Sequence, residues 1–416
     1  MKTVSALLLI ATLTATACSS SSLEEDGPSV PSGTPLLFST PYVGSMATRA
    51  TEALASDFLV SGYKSFGATG QQTVMEQYQA LYSTDAWGGT GTKWSTVGTT
   101  SDGFYKQQYV KYWDLSAFPY NFIALAPAPI KDGKVMDGFS VTYNDIKLEQ
   151  TLQSQTASDG EVTPSAPATE YLLAQMQRQT NTSDATTTDD VDLLSGKTIG
   201  TGGDSPTKAV PLPFHHLSAK VRFGIFTTMP TVETQSVKIK NVTIKAKSAN
   251  AEGFVTGAGS YAVDLSQTGV SSAFDGTFSG KTYQTDELQL LSFSGPTDNK
   301  FTDAYLEKHE WNSTTDLNAY YFECSDGLLE VPQNNVQLFV SFTLQPSTGN
   351  DYTIVDYPLT ITQEDGTEAN LHTWRPSRLY TYYIKIARLF SYDISFTATV
   401  SDWEDLEGSI STNLEK

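Results

Sequence analysis

The chain has 416 residues, a formal charge of −20 and a pI near 4.5. So acidic a surface repels phosphate backbones and excludes nucleic acid as a partner. Two cysteines, Cys18 and Cys324, leave no basis for a disulfide framework or a thiolate zinc site, while the length suffices for two ordinary domains.

Residues 1–17 read as an export signal. Lys2 supplies the positive start, Ala6 to Leu13 the apolar stretch, and Ala15 and Ala17 the small residues before a cut at Cys18. The apolar run is too short to span a bilayer as a stable helix. A cysteine at the cut looks like a lipobox, in which the thiol is acylated and chains such as palmitate tether the mature protein to a membrane. An ordinary secretory signal is the alternative, but it requires no cysteine there. Ser19 to Ser22, followed by Glu24, Glu25 and Asp26, form a polar tether that resembles the surface-export signal of Bacteroidota lipoproteins. The expected location is therefore the cell surface, by way of an outer-membrane lipoprotein precursor. No later segment is apolar enough to cross a membrane as a helix.

Residues 18–49 form a leader containing the strand-like Pro35 to Thr40. Beyond it, Asp57 to Ala80 is ambiguous, and Val74 to Tyr82 admits a helical turn within strand-like surroundings. Ala168 to Gln179 reads as a helix with Thr169 as its N-cap. Thr180 to Asp190 has little to bury and reads as a mobile loop. We place a domain boundary near residue 205, giving domains 50–205 and 206–416.

Period-two alternation follows in Val210, Leu212, Phe214 and in Val221, Phe223, Ile225. From Val237 to Ala246 the apolar phase slips near Asn241, which predicts a β-bulge. Val336, Leu338, Val340, Phe342 and Leu344 line one face of a strand. Tyr380, Tyr382, Ile384 and Ile386 line another, and Tyr392 to Val400 alternate after it. Charged residues make up only 17% of the chain, and Gly, Asn, Asp, Ser and Pro clusters separate the strands. The fold class is all-β, antiparallel sandwich, with minor helix.

Chemistry-bearing signals are weak. The histidines are His215, His216, His309 and His372, and His216 falls on the apolar face of the Val210 to Phe214 alternation, where a structural role is expected. No nucleophile elbow or His-Glu-x-x-His motif occurs. Cys324 reads as a buried strand-end cysteine. Gly280-Lys281-Thr282 imitates the end of a phosphate-binding loop, but Asp275 replaces the first glycine and would repel phosphate. Asp189-Asp190-Val191-Asp192 lacks calcium-loop spacing and reads as a solvated loop that holds a cation loosely at most. We therefore expect no catalytic residues, no metal and no cofactor.

Six segments, in order, resemble the fimbrillin (Mfa-like, type V pilin) family of Bacteroidales. They are Met46 to Glu52 followed by Phe58 to Tyr63; Tyr112-Trp113 with Phe118-Pro119 and Phe122 to Pro127; Val210 to Val221; Leu328 to Gln333; Trp374 to Tyr382; and Val400 to Trp403. The resemblance implies two tandem transthyretin-like β-sandwich domains and a pilus subunit that supports cell adhesion. It also implies an arginine-specific surface protease that cuts the lipoprotein, after which its N-terminal strand leaves and a strand from another subunit fills the groove. Mapped here, the cut falls at Arg49–Ala50, and the leaving strand presents Leu36, Phe38 and Tyr42. Leu406, Ile410 and Leu414, in the segment after Trp403, are the candidate donor strand, although Gly408 and several acids weaken it. The implied partners are other pilus subunits, the protease, the outer membrane until cleavage, and a host or glycan ligand. The competing reading is a surface lipoprotein that binds glycans without polymerising; hydrolase activity has no supporting constellation.

Overall fold

The computed structural model describes residues 33–39, 42–43, 52–53, 57–65, 70–82, 94–95, 108–128, 136–137, 140–144, 161–162, 170–181, 184–200, 207–227, 237–257, 259–264, 277–293, 321–324, 328–362, 366–386 and 394–402. The chain divides into two units, Met1–Thr34 and Pro35–Lys416.

Among the described residues every regular element is a strand, and each lies in the second unit. The largest sheet has ten strands. Its centre runs from Pro213–His216 through Leu172–Asn181, Tyr120–Ala126 and Phe58–Lys64 to Gln72–Tyr82. One face carries Phe58, Val60, Phe122, Ala124, Leu172, Ala174, Met176, Val210, Leu212 and Phe214 into a single apolar cluster. A six-stranded sheet and a five-stranded sheet share a second cluster. Val221, Phe223, Tyr382 and Ile384 enter it from one sheet, and Ile239, Ile244, Leu338, Val340 and Phe342 from the other. Two sheets that bury a common core make a β-sandwich.

The expected alternation from Val336 to Leu344 is present, with all five residues at 1% exposure or less. The expected bulge is also present. Asn241 adopts φ 54°, and the pairing register shifts between Lys240 and Thr243. Asparagine tolerates that left-handed conformation better than other non-glycine residues, which explains its place there.

Three expectations are corrected. Val74 to Tyr82 is no helical turn but part of strand Gln72–Tyr82. Gln77, at φ 49°, sits where the register against Phe58–Lys64 shifts, and that irregularity breaks the alternation into helix-like spacing. The helix expected over Ala168 to Gln179 is strand Leu172–Asn181. Leu172 to Arg178 pair residue by residue with Ala126 to Tyr120, and all seven are buried. Sheet pairing on both sides overrides the helix propensity of Leu, Ala, Gln and Met, and with two-sided burial the short alternation there does not separate core from solvent. The loop expected over Thr180 to Asp190 is instead strand: Thr180 and Asn181 end Leu172–Asn181, and Asp184 to Asp190 belong to Asp184–Asp192, which pairs antiparallel with it. Gly280, at φ +67°, lies in a turn between strands Thr277–Ser279 and Thr282–Gln284.

His216 and His372 are buried at 4% and 1% exposure. Burial, together with the charges of Lys220 and His215, holds His216 well below the usual histidine range. Burial pushes His372 down to about 4, against a hydrogen bond at 2.8 Å between its Nε2 and the Leu359 carbonyl. In the unfolded chain both rings titrate near the ordinary value of about 6.5. The unfolded state therefore binds more protons below that pH, and stability falls as pH drops from 6.5 toward 4, by about 3 kcal/mol from His372 alone. Urea midpoints at pH 7 and pH 4.5 measure this. His372→Gln keeps a donor for Leu359 and should flatten the slope; an unchanged slope would refute the assignment.

Candidate functional site

The site is the slot that holds the leader. Leu36 and Phe38 are 4% and 1% exposed, and both belong to the first apolar core. Phe38 meets Phe58 and Phe122 edge to face, each with ring centroids 5.9 Å apart. One wall of the slot is the segment before Trp113. Pro35 bridges to Tyr112, and the Leu36 N–H donates to the Lys111 carbonyl at 2.7 Å. The other wall is Val210. Its N–H donates to the Leu37 carbonyl at 2.7 Å, and its own carbonyl accepts from the Ser39 N–H at 3.0 Å and the Ser39 hydroxyl at 3.2 Å.

The leader continues alongside this wall. Tyr42 and Val43 pair in parallel with Pro213 and Phe214, and antiparallel with Ala53 and Glu52. The segment from Val210 to Phe214 therefore lies between the leader and the rest of the sheet. Its far end is attached to the sheet by the pairs Leu173↔His215 and Leu172↔His216.

At its near end stands Arg178, which is fully buried. Its Nε and Nη2 donate to both carboxylate oxygens of Asp190 at 2.7 and 2.9 Å. Nη1 donates to the Lys208 carbonyl at 2.7 Å and Nη2 to the Ala209 carbonyl at 3.3 Å. The guanidinium lies 4.9 Å from the centre of the Trp113 ring, one residue beyond Tyr112. A planar guanidinium suits this arrangement, because its donors fan out in a fixed plane while its face stacks on an aromatic ring.

Asp192 anchors a second buried polar group. Its Oδ2 lies 2.8 Å from His215 Nε2 and also accepts from the Ser195 hydroxyl, while Oδ1 accepts from the Leu194 N–H at 3.0 Å. Burial works against its charge, but His215 and these donors outweigh it and hold the carboxyl below the usual range. The expectation of a solvated, cation-holding loop at 189–192 is thus corrected: Asp190 and Asp192 are 1% and 2% exposed and engaged with side chains. Among the described residues no group of three or more His, Cys, Asp or Glu is placed to hold a metal ion.

Of the expected site residues, Leu36 and Phe38 lie in the slot and Tyr42 joins it through its backbone. Cys18, Arg49, Ala50, Leu406, Ile410 and Leu414 lie outside the described residues. Cys324 ends strand Tyr321–Cys324 as expected. Arg178, Asp190 and Trp113 were not anticipated as parts of a site. Reading Leu172, Ala174, Met176 and Arg178 at period two would have placed the arginine on the core face.

A fimbrillin-like family model matches residues 48–403, and the chain belongs to that family. It is accordingly a structural protein of the fimbrial class that assembles with other subunits, and not an enzyme. Solved structures include a fimbrial protein of Bacteroides vulgatus at 14% identity and TM-score 0.45, covering 89% of this chain and 99% of that one. Another is a candidate cell adhesion protein of Bacteroides uniformis at 12% identity and TM-score 0.36, with the same coverages. No curated protein matches the sequence.

Proposed function

We propose that the chain is a fimbrial subunit delivered as a lipoprotein, lipidated at Cys18, and assembled by strand exchange after cleavage at Arg49–Ala50. The observation that carries this reading is the leader itself. A segment close to the N-terminus supplies two buried side chains of the first core, Leu36 and Phe38, and its described residues 35–39 are attached by backbone hydrogen bonds to Lys111 and Val210. Removing it would open an apolar trench beside an unpaired strand edge at Val210 to Phe214, a surface that backbone pairing with another extended strand satisfies. A head-to-tail contact of that kind propagates into a filament. Leu406, Ile410 and Leu414 are our candidate for the strand supplied to the next subunit.

The division into domains 50–205 and 206–416 belongs to the same reading. The separation of the two apolar clusters, one reaching Phe214 and the other starting at Ala219, supports two cores. Strand Pro213–His216 pairs into the first sheet before the chain crosses over.

Mass spectrometry of the mature N-terminus on native fimbriae tests the proposal. A chain starting at Ala50 is expected. Arg49→Ala should remain a lipidated monomer with its leader in place. Polymers of that variant, or native fimbriae whose subunits retain lipidated Cys18 while the uncut chain binds glycans, would overturn it.

A further inference from the structure

The wall of the slot at Val210 presents a mechanical problem once the leader is gone. With Leu37, Ser39, Tyr42 and Val43 absent, Val210 to Phe214 lose the backbone partners on their outer side. On the inner side, the described pairing to strand Leu172–Asn181 is confined to His215 and His216, with the Leu217 N–H donating to the Tyr171 carbonyl just beyond. The near end has a different attachment. Arg178, on the same strand and five residues from Leu173, grips the carbonyls of Lys208 and Ala209. Five residues of strand span roughly 17 Å, so the segment is suspended at two points of one strand.

Arg178 also reaches the opposite side of the slot through its stacking on Trp113, which follows directly on the leader's partners Lys111 and Tyr112. Asp190 holds the guanidinium bidentate, so its remaining donors point at the wall whether or not the leader is present. None of these contacts involves a leader residue.

We propose that Arg178 is a positioning residue for strand exchange: fixed by Asp190, it ties the Lys208–Ala209 wall to the Trp113 wall and preserves the slot's shape while the slot is empty. The inference rests on the fimbrial reading and adds to it the group that keeps the acceptor competent between release of one strand and arrival of the next. A lysine could satisfy Asp190 but could not at the same time reach both carbonyls and cover the indole ring.

The test uses the full chain with a site-specific protease sequence placed between Val43 and Glu52, so that the leader can be cut without being removed. A labelled peptide spanning Pro35 to Val43 is then exchanged against the cut leader, and capture is followed by fluorescence anisotropy. Wild-type protein should capture the peptide. Arg178→Lys should capture it at least tenfold more weakly, and the stability lost on substitution should be larger in the cut chain than in the uncut one, where the leader also holds the Val210 wall. A merely structural arginine would instead lower the stability of cut and uncut chains alike.

Capture by Arg178→Lys equal to wild type overturns the proposal, as does an equal loss in both forms. If Arg178→Lys fails to fold, the paired variant Arg178→Met with Asp190→Leu, which strands no buried charge, takes its place, with the same outcomes deciding. Capture depends neither on cleavage at Arg49 nor on polymerisation. A chain that passes this test but fails to assemble would sink the fimbrial reading alone, whereas no capture by wild type would overturn both.

Discussion

Replacing Phe38 by alanine is expected to destabilise the uncut chain by about 3–5 kcal/mol. The ring is 1% exposed and packs edge to face on both Phe58 and Phe122, and each such aromatic pair contributes about 0.5–1.5 kcal/mol beyond simple burial. The loss should be cooperative, because Phe38 is the leader's deepest contact and the same core holds Trp113, Tyr120 and Phe214. Phe38→Leu should recover a large part of it. Urea unfolding of the uncut chain measures both variants. A loss below about 1 kcal/mol, the scale of a surface substitution, would mean that the core closes without the leader and that the slot is not built around it.

The second large effect is electrostatic. Asp190→Ala leaves the Arg178 guanidinium in a fully buried position with no countercharge in bidentate contact. Breaking a buried ion pair from one side costs about 3–5 kcal/mol. Lys208 does not stand in for the lost partner, since it is itself a cation, 3.9 Å from the Asp190 carboxylate. The paired replacement Arg178→Met with Asp190→Leu should be the milder change. It buries no lone charge and costs mainly the donors to the carbonyls of the half-buried Lys208 and Ala209, about 0.5–1.5 kcal/mol for each hydrogen bond lost. Equilibrium unfolding of the single and paired variants decides the matter: a paired variant less stable than Asp190→Ala would contradict this account.

The second sandwich was largely legible in the sequence because its strands set apolar residues at every second position, even where Thr343 and Thr381 on the other face are also buried. Val336 to Leu344 and Tyr380 to Ile384 alternate openly, and even the bulge at Asn241 announced itself as a phase slip. The first sheet was harder to read. Leu172 to Arg178 are buried on both faces, so the alternation of Ala174 and Met176 with Gln175 and Gln177 was short and did not separate core from solvent, and the residue types favoured a helix. The leader was visible as an apolar strand, and the depth of Phe38 follows that reading. Arg178 and Asp190 were hidden for a different reason. Each looks like a surface charge until the twelve-residue separation between them is closed by a hairpin, and a sequence gives no sign that two distant charges will desolvate together.

The turn around Ser377 links the two apolar cores. The Ser377 N–H donates to the Ser218 carbonyl at 3.0 Å and its hydroxyl to the His216 carbonyl at 2.9 Å, fastening the crossover where strand Pro213–His216 gives way to Ala219–Thr227. From there the chain runs parallel to Arg378–Ile386 over eight consecutive residue pairs, Lys220↔Leu379 to Thr227↔Ile386. In the pilus we propose, tension entering at the slot would travel down continuous backbone into this ribbon at its Lys220 end, where Leu379 and Ser401 lie in register beside it.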